Sequence, residues 1–127
     1  MNLVDSSGWL EYLGNGPNAR YFAAPLKDTQ QLLVPTICLY EVFRVVLRQR
    51  GKRDALRMAA LMRQGREIEL SPSLALEAAR LAHEHNLAMA DAIILATARS
   101  FHATLWTQDS DFKDVSGVRY FEKKTTR

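Results

Sequence analysis

Residues 88–112, AMADAIILATARSFHATLWTQDSDF, decide the fold of this chain. Their first half has the apolar spacing of a helix at about 89–101, and 104–107 then has the pattern of a short apolar strand. Asp91 stands inside the apolar helix pattern, and Asp109 comes just after the strand. A carboxylate in such surroundings is costly to desolvate unless something compensates its charge. The two acids are therefore candidates for a functional site.

The rest of the chain alternates between strand and helix patterns. Such alternation predicts a three-layer α/β/α domain with a mainly parallel central sheet. Ser6 or Ser7 is expected to cap the first helix, and Gly14 to end it. Ser71 and Pro72 form a cap-then-first-turn start for another helix. Besides 104–107, strands are predicted at 2–5, 32–34, 66–70 and 118–121; further helices are predicted at about 18–24, 36–50, 53–64 and 72–85.

Length and composition indicate one globular domain over residues 1–127. The chain has 127 residues, of which 47% are hydrophobic, and this fraction argues against disorder. No apolar run approaches the length of a membrane span, and no secretory leader is evident. Because Cys38 is the only cysteine, no intrachain disulfide can form, so we expect a reducing, cytoplasmic setting. The tail at 123–127 is expected to fray.

The charge distribution is more informative than the net charge of +3. Basic residues crowd the segment between Glu41 and Arg66, and arginine suits bidentate contacts to phosphate. Arg44 and Arg48 lie one and two helical turns beyond Glu41, so they are candidates to hold phosphates. The alternative is that these residues form the solvated faces of two ordinary helices.

Four acids are predicted to meet at one edge of the sheet. In an open parallel sheet the functional crevice lies at the carboxyl ends of the strands. Asp5 ends the first predicted strand and Asp109 follows the fourth, while Asp91 and Glu41 lie in the first and second turns of their helices. The acids are too far apart in sequence to form a local ion-binding loop. Only tertiary folding can bring them together.

Such a cluster indicates a divalent metal site. Carboxylates at close range raise each other's pKa, and a cation removes that repulsion. All-oxygen ligation favours Mg²⁺ or Mn²⁺ over Zn²⁺. Two such ions about 4 Å apart can activate water and stabilise the leaving oxygen in phosphodiester cleavage.

Each acid also has an ordinary structural interpretation. Asp5 can cap the first helix, and Asp109 and Asp111 can cap a helical turn. Asp91 can be an N-terminal helix acid favoured by the helix dipole, and Glu41 can pair with Arg44 or Arg48 on its own helix. The metal hypothesis depends on all four acids reaching the same edge.

At this point the sequence resembles a known family. Val4-Asp5-Ser6-Ser7, Leu39-Tyr40-Glu41-Val42, Ala90-Asp91-Ala92 and Thr107-Gln108-Asp109-Ser110-Asp111-Phe112 are similar to motifs of PIN-domain ribonucleases. The resemblance covers essentially the whole chain and is strongest to the small VapC-type toxins of type II toxin–antitoxin pairs. Each motif alone is weak, but four in order are fairly specific.

The resemblance implies a Mg²⁺- or Mn²⁺-dependent endoribonuclease that acts on RNA. It further implies a homodimer that a cognate antitoxin holds inactive, without a membrane partner. By position, the acidic, metal-binding site would consist of Asp5, Glu41, Asp91 and Asp109. Asp111 matches a supporting acid, and Thr107 and Ser6 match hydroxyl positions near the metal that orient other groups.

Other functions remain open from the sequence. A nuclease of this kind can serve RNA processing or DNA repair without an antitoxin. A non-catalytic RNA-binding module would keep the fold but not need the acids. A phosphoacceptor receiver domain would need paired acids after the first strand and a lysine late in the chain, and neither pattern is present.

Overall fold

Within residues 1–125, six helices and five strands follow the order that the sequence pattern predicts, with a pair of helices after each of the first three strands. The computed structural model describes residues 1–125, so the last two residues of the tail predicted to fray lie outside the described part. Two short 3₁₀ turns, Thr29–Gln31 and Ser110–Phe112, complete the architecture. The elements are β1 (Asn2–Val4), α1 (Ser6–Leu13), α2 (Ala19–Lys27), β2 (Leu32–Pro35), α3 (Thr36–Arg50), α4 (Lys52–Met62), β3 (Arg66–Ile68), α5 (Pro72–His85), α6 (Met89–Ser100), β4 (Thr104–Thr107) and β5 (Val118–Tyr120).

All strand pairings are parallel, in the order β3-β2-β1-β4-β5, and helices complete a three-layer α/β/α fold. The chain leaves β1 towards β2 on one side and leaves β4 towards β5 on the other. The carboxyl ends of β1 and β4 therefore form a topological switch point, where open α/β sheets bind their ligands. The register pairs Val4 with Trp106, so Asp5, which follows β1, and Thr107, the last residue of β4, stand side by side.

The core is continuous from the sheet into the helices. Leu3 and Val4 of β1 are fully buried, and so are Leu33 and Val34 of β2. Seven consecutive residues of α6, from Ala92 to Ala98, are buried. This burial explains why α6 is apolar on nearly every side, and it fixes the position of Asp91 at the helix start. Among residues 1–125, no helix combines the length and apolar character that a membrane crossing requires.

The first helix begins one or two residues earlier than a Ser6 or Ser7 cap would place it, and the alternative of Asp5 as the cap is correct. Asp5 does not extend β1; its side chain caps α1 by accepting a hydrogen bond from the backbone N–H of Gly8, so neither Ser6 nor Ser7 is the cap. At position 8 a Cβ atom would lie 2.5 Å from Val4 Cγ1 and 2.8 Å from the Phe22 ring. Glycine thus lets α1 approach the end of β1 closely enough for Asp5 to reach its N–H.

Candidate metal centre

Asp5 is held from several directions at the end of β1. Its side chain is buried, with the residue only 2% exposed. Oδ1 accepts hydrogen bonds from Ser7 Oγ at 2.7 Å and from the Gly8 N–H at 2.9 Å, and Oδ2 accepts one from Thr107 Oγ1 at 2.5 Å. Burial raises the pKa of Asp5 to about 6; these hydrogen bonds oppose the rise, whereas the charge of Asp109 adds to it.

Glu41 is fixed in a similar way. Its carboxylate accepts a hydrogen bond from Ser6 Oγ at 2.6 Å, so the first residue of α1 orients an acid of α3. The sequence also allowed an ion pair between Glu41 and Arg44 or Arg48. Within residues 1–125 no such ion pair forms, and both arginines are exposed. The hydroxyl of Ser6 is therefore an orienting group for Glu41.

Three other acids form an open cluster beside this pair. Asp91, Asp109 and Asp111 each offer a carboxylate oxygen, and these three oxygens lie within 4.8 Å of one another. Asp91 comes from the first turn of α6, whereas Asp109 caps the 3₁₀ turn by accepting a hydrogen bond from the Asp111 N–H at 2.9 Å. The capping interpretation of Asp109 is thus correct, and it does not exclude the cluster.

The electrostatics joins the two groups of acids. The pKa of Asp91 is raised to about 7, first by burial and then by the charges of Asp109, Asp5, Asp111 and Glu41. Asp91 thus lies within electrostatic reach of the other three predicted acids, and Asp5 lies within reach of Asp109, at the carboxyl edge of the sheet. The hydroxyl of Thr107 connects them further, because it donates to Asp5 and accepts from the Asp109 N–H at 2.9 Å.

This donor set fits a hard divalent cation. Carboxylate oxygens are the ligands that Mg²⁺ and Mn²⁺ prefer, and the raised pKa of Asp91 shows the repulsion that a cation would relieve. Asp91, Asp109 and Asp111 have the spacing of ligands to one ion. Asp111, which the resemblance placed only in support, is a full member of this cluster.

Comparison with known proteins identifies the family. A family model for the PIN domain matches residues 3–118, which is most of the chain. The chain belongs to the PIN domain family. No curated protein sequence matches it at a significant level.

Solved structures are similar over nearly the whole PIN domain. A chain of a toxin–antitoxin complex from Klebsiella pneumoniae has 26% identity and a TM-score of 0.78, covering 94% of this chain and 96% of its own. VapC20 from Mycobacterium tuberculosis, described as a toxin that cleaves the sarcin–ricin loop, has 18% identity and a TM-score of 0.74, covering 91% and 95%. A chain of the promoter-bound VapBC2 complex from Rickettsia felis has 16% identity and a TM-score of 0.74, covering 95% and 98%. At 18% and 16% identity, the similarity of the last two structures to this chain shows a shared fold.

A buried polar network behind the PIN-domain acids escaped the sequence analysis. Asn18 is fully buried, and its Nδ2 donates to Gln108 Oε1 at 3.1 Å and to the carbonyl of Glu122 at 2.9 Å. Its backbone N–H donates to Glu11, which also accepts from Gln108 Nε2. Gln108 stands between Thr107 and Asp109, so this network fixes the loop after β4. Ninety residues separate Asn18 from Gln108, and no local pattern in the sequence indicates such a pairing.

One of the two arginines predicted to bind phosphate lines a groove beside α3. Arg44 borders an apolar groove between α3 and α4, together with Leu39, Phe43, Leu47 and Ala59. The residues that line this groove include none of the five clustered acids. A phosphate role for Arg44 and Arg48 stays a prediction.

Proposed function

We propose that this PIN domain is a Mg²⁺- or Mn²⁺-dependent endoribonuclease and the toxin of a toxin–antitoxin pair. The observation that supports this most is the meeting of Asp5, Glu41, Asp91, Asp109 and Asp111 at the switch point of the sheet. Membership of the PIN domain family agrees with a nuclease activity. The Klebsiella pneumoniae structure, similar over nearly the full length of both chains, agrees with a toxin that has an antitoxin partner. A cytoplasmic location is part of the proposal, and Cys38 as the only cysteine agrees with a reducing compartment.

Asp91, Asp109 and Asp111 would hold the cation, with Asp5 and Glu41 completing its surroundings. When bound, such an ion stabilises charge on the phosphate oxygens and lowers the pKa of water, so no serine, cysteine or histidine nucleophile is needed. The protein's own side chains position the carboxylates. Thr107 and Ser7 keep the Asp5 carboxylate in one orientation through their hydroxyls, which limits the reorganisation needed when charge develops.

Ser6 has the corresponding task at Glu41, whose carboxylate it orients from the start of α1. In-line attack by water on the phosphodiester would leave a 5′-phosphate and a 3′-hydroxyl. Arg44 and Arg48 are proposed to hold phosphates that flank the cut, because both are exposed on the same helix as Glu41.

RNA cleavage tests the proposed chemistry. Purified protein should cut RNA with Mn²⁺ or Mg²⁺ and stop in EDTA, and Asp5→Asn and Asp91→Asn should each remove cleavage. Asp114→Asn is a matched control, because Asp114 is an exposed acid just after the 3₁₀ turn and lies outside the carboxylate cluster. If the Asp5 and Asp91 variants cut as fast as the wild type, the proposed mechanism is wrong.

The surface offers room for the proposed protein partners, an antitoxin and a second copy of the chain. Leu47 is 43% exposed at the α3–α4 groove, and Leu76 and Met89 on α5 and α6 are 76% and 72% exposed. Exposed apolar patches of this kind mark interaction sites.

Light scattering should give the mass of a dimer, and expression of the chain should arrest growth unless the neighbouring antitoxin gene is co-expressed. Growth unaffected by an active nuclease would contradict the toxin role and favour RNA processing.

A further inference from the structure

A polar cleft extends away from the acids along the β5 edge of the sheet. It has a volume of about 530 Å³ and is lined by Ser7, Asp109 and Ser110 at one end and by Tyr120 and Lys123 on β5 and after it. Asp109 is thus shared between the cleft and the carboxylate cluster. Any polymer whose reacting phosphate lies at the acids can continue directly into this cleft.

A stack of aromatic rings lies just beyond the cleft. The ring of Phe121 stacks on Tyr21 with centroids 4.8 Å apart and on Trp106 with centroids 6.0 Å apart. Phe121 directly precedes Glu122 and Lys123, two residues that line the cleft. Lys124, the residue after cleft-lining Lys123, lies over the Tyr21 ring, so the stack adjoins the end of the cleft where α2 meets β4 and β5.

Positively charged side chains lie over the outer rings of this stack. The Arg20 guanidinium is 4.9 Å from the Tyr21 ring centroid, the Lys124 ammonium 5.2 Å from the same centroid, and the Arg119 guanidinium 4.5 Å from that of Trp106. Cation–π contacts of this kind hold long, flexible side chains in place. The rings thus preorganise three cations that would otherwise sample many rotamers.

We propose that single-stranded RNA on one side of the cut phosphate runs through this cleft and along the strip formed by Arg20, Arg119, Lys123 and Lys124. The proposal rests on the ribonuclease function above and names the path of its substrate. The backbone phosphates would contact the four cations, and a base in the cleft would lie against Tyr120. Cationic grooves with interleaved aromatic rings are the usual surface for single strands.

The charges of the strip are available for an external anion. In the part of the chain that the structure describes, none of the four cations forms an ion pair with a carboxylate. By contrast, Arg63 forms an ion pair with Glu67, and Arg80 forms ion pairs with Glu77 and Glu84 on its own helix, α5. Glu122 and Asp109 also line the cleft and offset two of the four positive charges, which leaves an excess of two.

Binding measurements on a cleavage-deficient protein test this path. In an Asp91→Asn background, a fluorescein-labelled single-stranded RNA of mixed sequence is titrated and followed by anisotropy. A strip variant changes Arg20, Lys123 and Lys124 to Gln. The matched control changes Lys52, Arg53 and Arg57 to Gln, which removes the same charge from an exposed part of α4. We expect the strip variant to bind at least about tenfold more weakly, and its salt slope to fall by about 2, because each phosphate of a single strand that a cation neutralises contributes about 0.7 to that slope.

The control should bind within about twofold of the parent protein. Equal losses in both variants would reduce the effect to net charge, and an unchanged strip variant would exclude the path; either result overturns the inference. With Asp91 restored, Mn²⁺-dependent hydrolysis of bis(p-nitrophenyl) phosphate should be the same in the strip variant and the wild type. If the wild type cuts neither RNA nor this small diester, the proposed function itself fails. If it cuts both and the strip variant cuts RNA equally well, only the path fails.

Discussion

The acids at the switch point belong to two regions that differ in how fully hydrogen bonds fix their carboxylates. Asp5 and Glu41 accept hydrogen bonds from the hydroxyls of Ser6, Ser7 and Thr107, so their orientation is set by the protein itself. Asp91, Asp109 and Asp111 crowd together with much less support, and the backbone N–H of Asp111 is the donor found for Asp109. The first pair is held in place, whereas the trio is open.

This difference predicts separate roles for the two regions in metal binding and in cleavage. The Asp5 carboxylate already accepts three hydrogen bonds and that of Glu41 one, so these acids have limited capacity for an ion but give the site a fixed shape. Oxygens without donors repel one another and gain most from a cation. We therefore expect metal affinity to depend mainly on the open trio, and the rate of cleavage to depend on both regions.

The largest effect is expected for Asp109→Asn, because Asp109 belongs to the trio and its charge also acts on Asp5. Loss of a carboxylate that is proposed to hold the metal should remove several kcal/mol of transition-state stabilisation. At 1.36 kcal/mol for each factor of ten, cleavage should fall about 1,000-fold or more. The measurement is kcat/KM for RNA with Mn²⁺, with Asp114→Asn as the control. A variant that retains a tenth of wild-type activity would contradict the role of the trio.

The second largest effect concerns metal addition. An ion that binds only the folded cluster stabilises the protein by about 2.7 kcal/mol at a concentration 100 times its Kd. For a chain of this size this amounts to an increase in Tm of roughly 5–15 °C. Mn²⁺ should produce this increase in the wild type, whereas EDTA alone should leave Tm unchanged.

The same titration separates the two regions. Asp111→Asn should abolish most of the Mn²⁺-dependent increase, whereas Ser6→Ala, which removes only the donor to Glu41, should retain it. Equal increases in both variants would show that the open trio does not dominate metal binding.

The third effect concerns the link between the regions. Thr107→Val preserves the shape of a buried side chain but removes the hydroxyl that donates to Asp5 and accepts from the Asp109 N–H. A hydrogen bond to a charged group contributes about 2 kcal/mol, so cleavage should fall about 30-fold. Thr107→Ser keeps the hydroxyl and should recover most of the activity. If valine and serine behave alike, the link has no role in positioning.

The sequence predicted the order and type of all the helices and strands, but not each of their ends. The predicted strand at 66–70 ends at Ile68, because its neighbour β2 ends at Pro35, which pairs with Ile68. β5 likewise ends at Tyr120, opposite the last residue of β4. Strand ends depend on the partner strand, which apolar alternation does not reveal. The helix predicted at 18–24 continues to Lys27, where buried Pro25 and Leu26 add packing.

The site was predictable to the extent that it follows strand ends and first helical turns. Asp5, Asp91 and Asp109 occupy such positions, and the structure brings them within electrostatic reach. Asp111, which the resemblance places in support of the site, offers a carboxylate oxygen to the same group as Asp91 and Asp109, and its position in sequence does not distinguish a turn residue from a metal ligand. The bond between Asn18 and Gln108 joins two loops through the folded core. Only the three-dimensional structure shows such a contact.

The smallest effect concerns pH and the metal-free protein. Burial and neighbouring charge raise the pKa of Asp5 to about 6 and of Asp91 to about 7, above their ordinary value of 3.8. Between pH 4 and 7 the folded protein therefore binds more protons than the unfolded chain. The contribution of these groups to stability is fully present below pH 4 and is lost as the pH rises towards 7.

Asp91→Asn tests this dependence, because the amide cannot ionise. In EDTA at pH 8 the variant should melt a few degrees above the wild type; the gain is small because water screens a half-exposed carboxylate. Near pH 4 the wild type and the Asp91→Asn variant should have the same Tm. Because both proteins contain the same other acids, the difference between their Tm values removes the contribution of those acids. Saturating Mn²⁺ at pH 8 should reverse the order, since the wild type alone keeps the full trio. A variant that is less stable than the wild type in EDTA at pH 8 would show that the Asp91 charge is already compensated by the protein.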